Sequence, residues 1–137
     1  MKRIALLILS VLLLVGCQSQ PVSGETISIA GGSYQNVAAK ELKSMLKGKD
    51  FLFINVHTPF AGNIVRTDMS IAYDQIEQDL SQLPADKNAK IVLYCRSGRM
   101  SAIAAEELVS LGYTNVWNFD GGMDAWMQSG YELEKSR

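Results

Sequence analysis

Cys95-Arg-Ser-Gly-Arg-Met100 is the stretch of this 137-residue chain best suited to chemistry. It lies between an apolar run, residues 90–94, and a segment with helical spacing, residues 101–111. If the loop curls around the sulfur, the amides of Arg96, Ser97, Gly98, Arg99, Met100 and Ser101 point inward. Backbone N–H groups gathered at a helix N-terminus form a cradle for anions. Gly98 permits a turn that a Cβ would oppose. Arg96 and Arg99 add positive charge. Each effect favours thiolate over thiol, and the thiolate is the nucleophile. The ordinary role of a free cysteine is that of a small buried hydrophobe. Two arginines and a glycine directly after a strand end are not core composition. The arginines either serve the pocket or stand as solvated charges. Ser97 and Ser101 either touch a ligand or satisfy local backbone groups.

Composition narrows the chemistry further. The chain holds two cysteines, Cys17 and Cys95, and one histidine, His57. Their spacing gives no zinc signature, so no metal site is expected. A disulfide-stapled miniprotein is excluded for the same reason. Thirteen Lys and Arg oppose fourteen Asp and Glu, for a net charge of −1. No basic excess exists to neutralise a phosphate backbone, so nucleic acid is not an expected partner. The length suits one domain with its own core.

The first residues read as an address. Lys2 and Arg3 precede residues 4–15, in which Ser10 alone is polar. Twelve residues span about 18 Å as a helix, short of the ~30 Å hydrocarbon layer, so a secretory apolar segment fits better than a permanent span. The segment ends Leu14-Val-Gly-Cys17, which resembles the bacterial lipobox, a small residue before a cysteine that is diacylated and becomes the new N-terminus. Residues 1–16 are then a lipoprotein signal peptide, and Cys17 is the lipidation site that anchors the chain to a membrane. The expected location is the extracytoplasmic side of a bacterial cell envelope. Gln18 favours the outer membrane if the source is Gram-negative. Lipidation would also leave Cys95 as the single unmodified thiol.

Residues 17–33, rich in Ser, Gly and Gln, read as a flexible tether, and residues 34–137 as the domain. Within it, residues 34–37 read as a short strand and residues 38–47 as a helix closed by Gly48. Residues 51–56 form an apolar strand, and Pro59 and Gly62 break the chain into a loop. Residues 70–72 suggest another short strand. Asp74 can cap a helix carrying Ile76, Leu80 and Leu83 on one face, ended by Pro84. Further strands fall at 90–94 and 115–119, and a final helix begins near Gly122. Strands apolar on both faces, alternating with amphipathic helices, imply an α/β fold with a parallel sheet covered on each side. Ligands bind such sheets beyond the carboxyl ends of the strands, where Cys95 sits. The lysines at 40, 43, 47 and 49 read as a solvated helix face. Trp117, Phe119 and Trp126 read as core.

Three motifs together carry a resemblance. Cys95 to Ala102 resembles the active-site loop of the rhodanese (thiosulfate sulfurtransferase) family. Gly121-Gly-Met-Asp-Ala-Trp126 is similar to that family's C-terminal signature, and Ile54-Asn-Val-His-Thr-Pro59 to its N-terminal one. The likeness covers residues 34–131. It implies a three-layer α/β/α domain with a five-stranded parallel sheet in the order 3-2-4-5-1. It also implies that Cys95 takes a sulfane sulfur from a small sulfur-containing anion such as thiosulfate. A thiol, a protein thiol or cyanide then accepts it, by double displacement and with no cofactor. The related cysteine phosphatases place an Arg six positions after the nucleophile, where this chain has Ser101, so the shorter loop speaks for sulfur transfer. The chain departs from the usual pattern at Asn55 and His57, where Asp and Arg are common. It departs again after Pro59, where the acidic residue and the Gly-His-Ile ending are missing. His57 is expected at the rim or in a structural role. The alternatives are a non-catalytic, sulfur-binding or partner-recruiting module, and a thiol redox sensor at the envelope.

Overall fold

A computed structural model describes residues 23–135. The leader and Cys17 lie outside the described residues. The chain runs β1 (Glu25–Ile29), β2 (Gly32–Val37), α1 (Ala39–Lys47), β3 (Leu52–Asn55), β4 (Met69–Ser70), a 3-10 turn (Leu80–Gln82), β5 (Ile91–Tyr94), α2 (Arg99–Ser110), β6 (Val116–Phe119) and α3 (Gly122–Gln128). Six strands form one sheet in the order β1-β2-β6-β5-β3-β4. Every neighbouring pair is parallel except β1 with β2.

Side chains along β5 alternate between two cores. Ile91 and Leu93 face a cluster with Ala104, Ala105, Leu108 and Val109 of α2. Val92 and Tyr94 face a second cluster with Leu42, Met45 and Leu46 of α1 and Met123 and Trp126 of α3. All four β5 residues are buried. A strand covered on both faces has no polar side to show, which is why β5 reads as an unbroken apolar run. The result is three layers, α2 on one face of the sheet and α1 with α3 on the other.

Two expectations need correction. The sheet has six strands, not five, because the expected tether includes β1. Ile27 and Ile29 alternate with Thr26 and Ser28, and both isoleucines pack on the α2-side core. Gly31, at φ 88°, supplies the hairpin turn to β2. Gly31 is therefore a turn residue and Gly32 the first residue of β2, and neither belongs to a linker. With β1 set aside, β2 to β6 keep the order that the resemblance implies.

The second correction concerns the helix expected from Asp74. Residues 74–83 form tight turns and one 3-10 segment, with bonds such as Gln75 N–H to Ala72 O and Leu83 N–H to Leu80 O. Ile76 and Leu83 are buried all the same. The chain enters this segment pinned to β3, Ile71 N–H donating to Asn55 O and Tyr73 N–H to Val56 O. Tertiary anchoring outweighs the weak helical preference of a short stretch.

Candidate active site

Cys95 is the first residue beyond β5 and is 1% exposed. Gly98 caps α2 in the left-handed region at φ 96°, and its N–H donates to the Cys95 sulfur at 3.1 Å. Any other residue at 98 would be strained there, and its Cβ would lie 2.9 Å from the Gly121 nitrogen. Ser101 is fully buried, with Oγ 3.5 Å from the sulfur and 3.1 Å from Gly98 O. One hydroxyl proton is thus shared between holding the loop and reaching the sulfur. Of the two roles expected of Ser101, satisfying a local backbone group is the one seen, together with a contact to the sulfur itself. The sulfur lies over the first turn of a twelve-residue helix, where the macrodipole is positive.

The unmodified thiol takes two donors, Gly98 N–H and Ser101 Oγ, rather than the full set of loop amides. Arg96, Ser97 and Arg99 are exposed, and Met100 is half-buried against the α2-side core. Arg96 turns to the rim, its Nε 3.6 Å from Asp124 Oδ1, with both side chains largely solvated. Among the described residues no group of three or more His, Cys, Asp or Glu could hold a metal ion.

The glycine pair carries the loop from behind. Gly121 and Gly122 have φ of 79° and 52°. A Cβ on Gly122 would stand 2.2 Å from Cys95 O, so the first turn of α3 approaches the loop as no other residue would allow. That approach lets Met123 N–H donate to Cys95 O and Asp124 N–H to Arg96 O, each at 2.9 Å. Orphan donors of one helix thereby satisfy carbonyls of the loop that feeds another. Trp126 is core as expected, 1% exposed, its Nε1 donating to Glu132 O. Phe119 is buried, while Trp117 is half-buried. Lys43 departs from a purely solvated face, with Nζ 4.7 Å from the Tyr131 ring centre.

A polar network under the neighbouring strand escaped the sequence reading. Tyr94 reads there only as an apolar strand residue. Its hydroxyl accepts from Ile64 N–H at 3.0 Å and lies 2.7 Å from Thr67 Oγ1. Burial pushes its pKa up to about 12. Asn55 is buried; its Nδ2 donates to Gly62 O and Asn63 Oδ1, and its Oδ1 accepts from His57 N–H. The residue that replaces a usual aspartate is thus a neutral brace for the loop after β3. His57 is half-buried beside the site. Burial foremost, then the Arg96 charge, lowers its pKa, against an opposing pull from Asp124.

The sequence model of the rhodanese-like domain matches residues 38–129. A sulfurtransferase of Allochromatium vinosum is 32% identical over 87 residues, covering 62% of this chain and 79% of that protein. The thiosulfate sulfurtransferase/rhodanese-like domain-containing protein 3 of Mus musculus is 26% identical over 118 residues, covering 75% and 73%. Other curated relatives are longer, and the chain spans 56% of one and 28% of another. Among solved structures, a rhodanese-related protein of Thermoplasma volcanium superposes with a TM-score of 0.62 at 27% identity, covering 73% of this chain and 97% of its own. The match takes in the Cys95 loop, the glycine pair and every parallel strand but β2, and by it this chain belongs to the rhodanese-like domain family.

Proposed function

We propose that this protein is a sulfurtransferase that carries a sulfane sulfur as a Cys95 persulfide. The observation that supports it best is the sulfur's setting: at a strand's carboxyl end, over a helix N-terminus, and hydrogen-bonded by Gly98 N–H. In the first half-reaction the Cys95 thiolate attacks the outer sulfur of an anion such as thiosulfate. The new S–S bond forms as the donor's S–S bond breaks, and sulfite leaves with the electron pair. Loop amides from Arg96 to Ser101 then hold the added sulfur. In the second half-reaction an acceptor thiolate or cyanide attacks that outer sulfur, and Cys95 leaves as thiolate. Two displacements at one nucleophile give ping-pong kinetics. The near-complete burial of Cys95 favours small donors.

Mass spectrometry after incubation with thiosulfate tests this reading. An adduct one sulfur atom heavier, on Cys95, lost with cyanide and absent from Cys95→Ala, is the expected result. No adduct on reduced protein would replace the enzyme with a binding module, and sulfenylation instead would indicate a redox sensor.

The proposal extends to location. Lys2 and Arg3, the apolar stretch 4–15 and Gly16-Cys17 support export and acylation of Cys17, with two or three chains giving stable anchoring. Cys17→Ser should move the protein from the membrane fraction to the soluble one. An unchanged distribution would defeat the anchor.

A further inference from the structure

The one strand that runs against the rest of the sheet fixes where the domain is held. β1 is antiparallel to β2, so its amino end lies beside the carboxyl ends of the parallel strands. One row of partners crosses the sheet: Glu25 with Asn36, Asn36 with Asn118, and Asn118 with Leu93. Cys95 stands two residues beyond Leu93, and Ser23 two residues before Glu25, in the same direction. Ser23 and Cys95 are therefore level with one another. Three strand spacings of about 4.8 Å separate them, roughly 14 Å in all. Gly24 is pressed onto β2, since a Cβ there would stand 2.8 Å from Asn36 O, so the chain keeps this course up to Ser23. Ser23 shares a recess with Asp120. Asp120 Oδ1 would lie 3.2 Å from a Cβ on Gly98, whose N–H donates to the sulfur. The chain thus enters the domain at the rim of the site.

From Cys17 to Ser23 is six steps along the chain. Fully extended, six steps span at most about 21 Å. A domain of this size has a radius of gyration of about 13 Å and is roughly 34 Å across. To turn Cys95 away from a membrane that holds Cys17, Ser23 would have to rise by about the breadth of the domain. That is beyond the reach of the segment. The recess between the point of entry and the Cys95 loop is lined by Glu25, Glu41 and Asp120 and by no Lys or Arg. Such a surface does not adhere to anionic phospholipid, so a gap stays open between site and bilayer.

We propose that acylated Cys17 holds the Cys95 end of the domain towards the bilayer, and that the sulfur acceptor is a thiol of a protein held at that same membrane. The proposal rests on the sulfur transfer and the Cys17 acylation put forward above, and it assigns the class and place of the acceptor. The acceptor's thiol proton goes to solvent. Its thiolate then forms a bond to the outer sulfur of the persulfide as the Cys95 S–S bond breaks. Cys95 departs as thiolate with the electron pair, and the acceptor carries the persulfide away. The short segment confines loaded Cys95 to the layer that a membrane-held thiol also occupies. Their encounter gains an effective concentration that a soluble thiol lacks.

The test uses the acylated full chain from membranes, its Cys17 lipid checked by mass, in phosphatidylcholine vesicles. It is loaded with thiosulfate and freed of excess donor, and sulfur loss from Cys95 is followed. The probe is a synthetic peptide with a single cysteine, used with two palmitoyl chains and without them. A Gly-Ser insert of about twenty residues after Val22 precedes β1 and roughly doubles the r.m.s. reach of the segment. It also lets the site turn away. Discharge by the acylated peptide should then slow about fourfold, and discharge by the soluble peptide less than about twofold. Equal slowing for both peptides, or none for the acylated one, overturns the acceptor. A second measurement needs no chemistry. In phosphatidylcholine nanodiscs doped with a gadolinium-chelating lipid, the amides of Ser23, Gly98 and Asp120 should broaden. Those of Lys49, Ala89 and Gly112, at the amino ends of β3, β5 and β6, should keep their linewidths, and the insert should erase the difference. Uniform broadening, or broadening of the far end, overturns the orientation. An acylated chain with this gradient that never loads sulfur refutes the transfer reading, and the acceptor with it, and leaves the orientation. A chain whose Cys17 carries no lipid refutes the anchor, and this proposal falls with it.

Discussion

At Cys95 the local chemistry depends on two hydrogens, one from the Gly98 backbone and one from the Ser101 hydroxyl. Neither arginine of the loop is among those donors. Arg96 pairs with Asp124 at the rim, and Arg99 is exposed. Any pull they exert on an anionic donor would therefore be long-range, and salt would screen it. Arg99→Ala should weaken loading by thiosulfate several-fold at low ionic strength and much less at high, with little change for an uncharged donor. Steady-state loading rates across a salt series measure this, and equal loss for both donors would count against the charge role. His57 gives a pH prediction. Its pKa is lowered in the folded state from the ordinary 6.5. The unfolded chain therefore binds the proton more readily. The stability linked to neutral His57 is present above pH 6.5 and is lost as pH falls through the lower, folded value. His57→Gln should flatten the loss of stability on mild acidification in denaturant titrations. An unchanged slope would place the acid sensitivity elsewhere.

The elements around the loop act as a clamp. β5 delivers Cys95, α2 begins at its donor, and α3 docks on its carbonyls through the bonds from Met123 and Asp124. Gly122 is the residue on which that docking turns. Gly122→Ala meets a left-handed φ and a backbone oxygen 2.2 Å from the new Cβ. A destabilisation of about 2 kcal/mol or more is expected, because backbone cannot move aside as a flexible side chain can. Thermal melts give the stability, and the sulfur-loading rate of the folded fraction should fall as well, since α3 must shift away from Cys95 O. A variant as stable and as active as wild type would show the glycine dispensable. The motif spacing makes the loop, its glycine and the glycine pair readable in the sequence. The Asn55–Asn63 and Tyr94–Thr67 bonds were not readable, because they depend on how the loop between β3 and β4 folds back against β3 and β5.

Across the whole molecule, the sheet separates two apolar cores, and its outer edge is closed by the β1–β2 hairpin. Ile27 and Ile29 are half-buried against the α2 side. Replacing both by Ser should cost about 2 kcal/mol, the value for partial burial of two large aliphatic side chains. The persulfide chemistry should survive, since β1 lies four strands from β3 and three from β5. A lower melting midpoint with unchanged loading is the expected pair of results. An unchanged midpoint would mean that the hairpin is decoration rather than part of the cooperative domain.

By itself the sequence determined what depends on local order along the chain. Apolar runs on both faces required covered strands, and a cysteine followed by glycine and arginines at a strand end carried the resemblance to the family's active-site loop. Tertiary structure decided what depends on partners distant in sequence. It turned a Ser- and Gly-rich stretch into an edge strand, because two alternating isoleucines found a core to cover. It unwound the segment after Asp74, because its entrance was already bonded to β3. It chose which of six amides meets the resting sulfur.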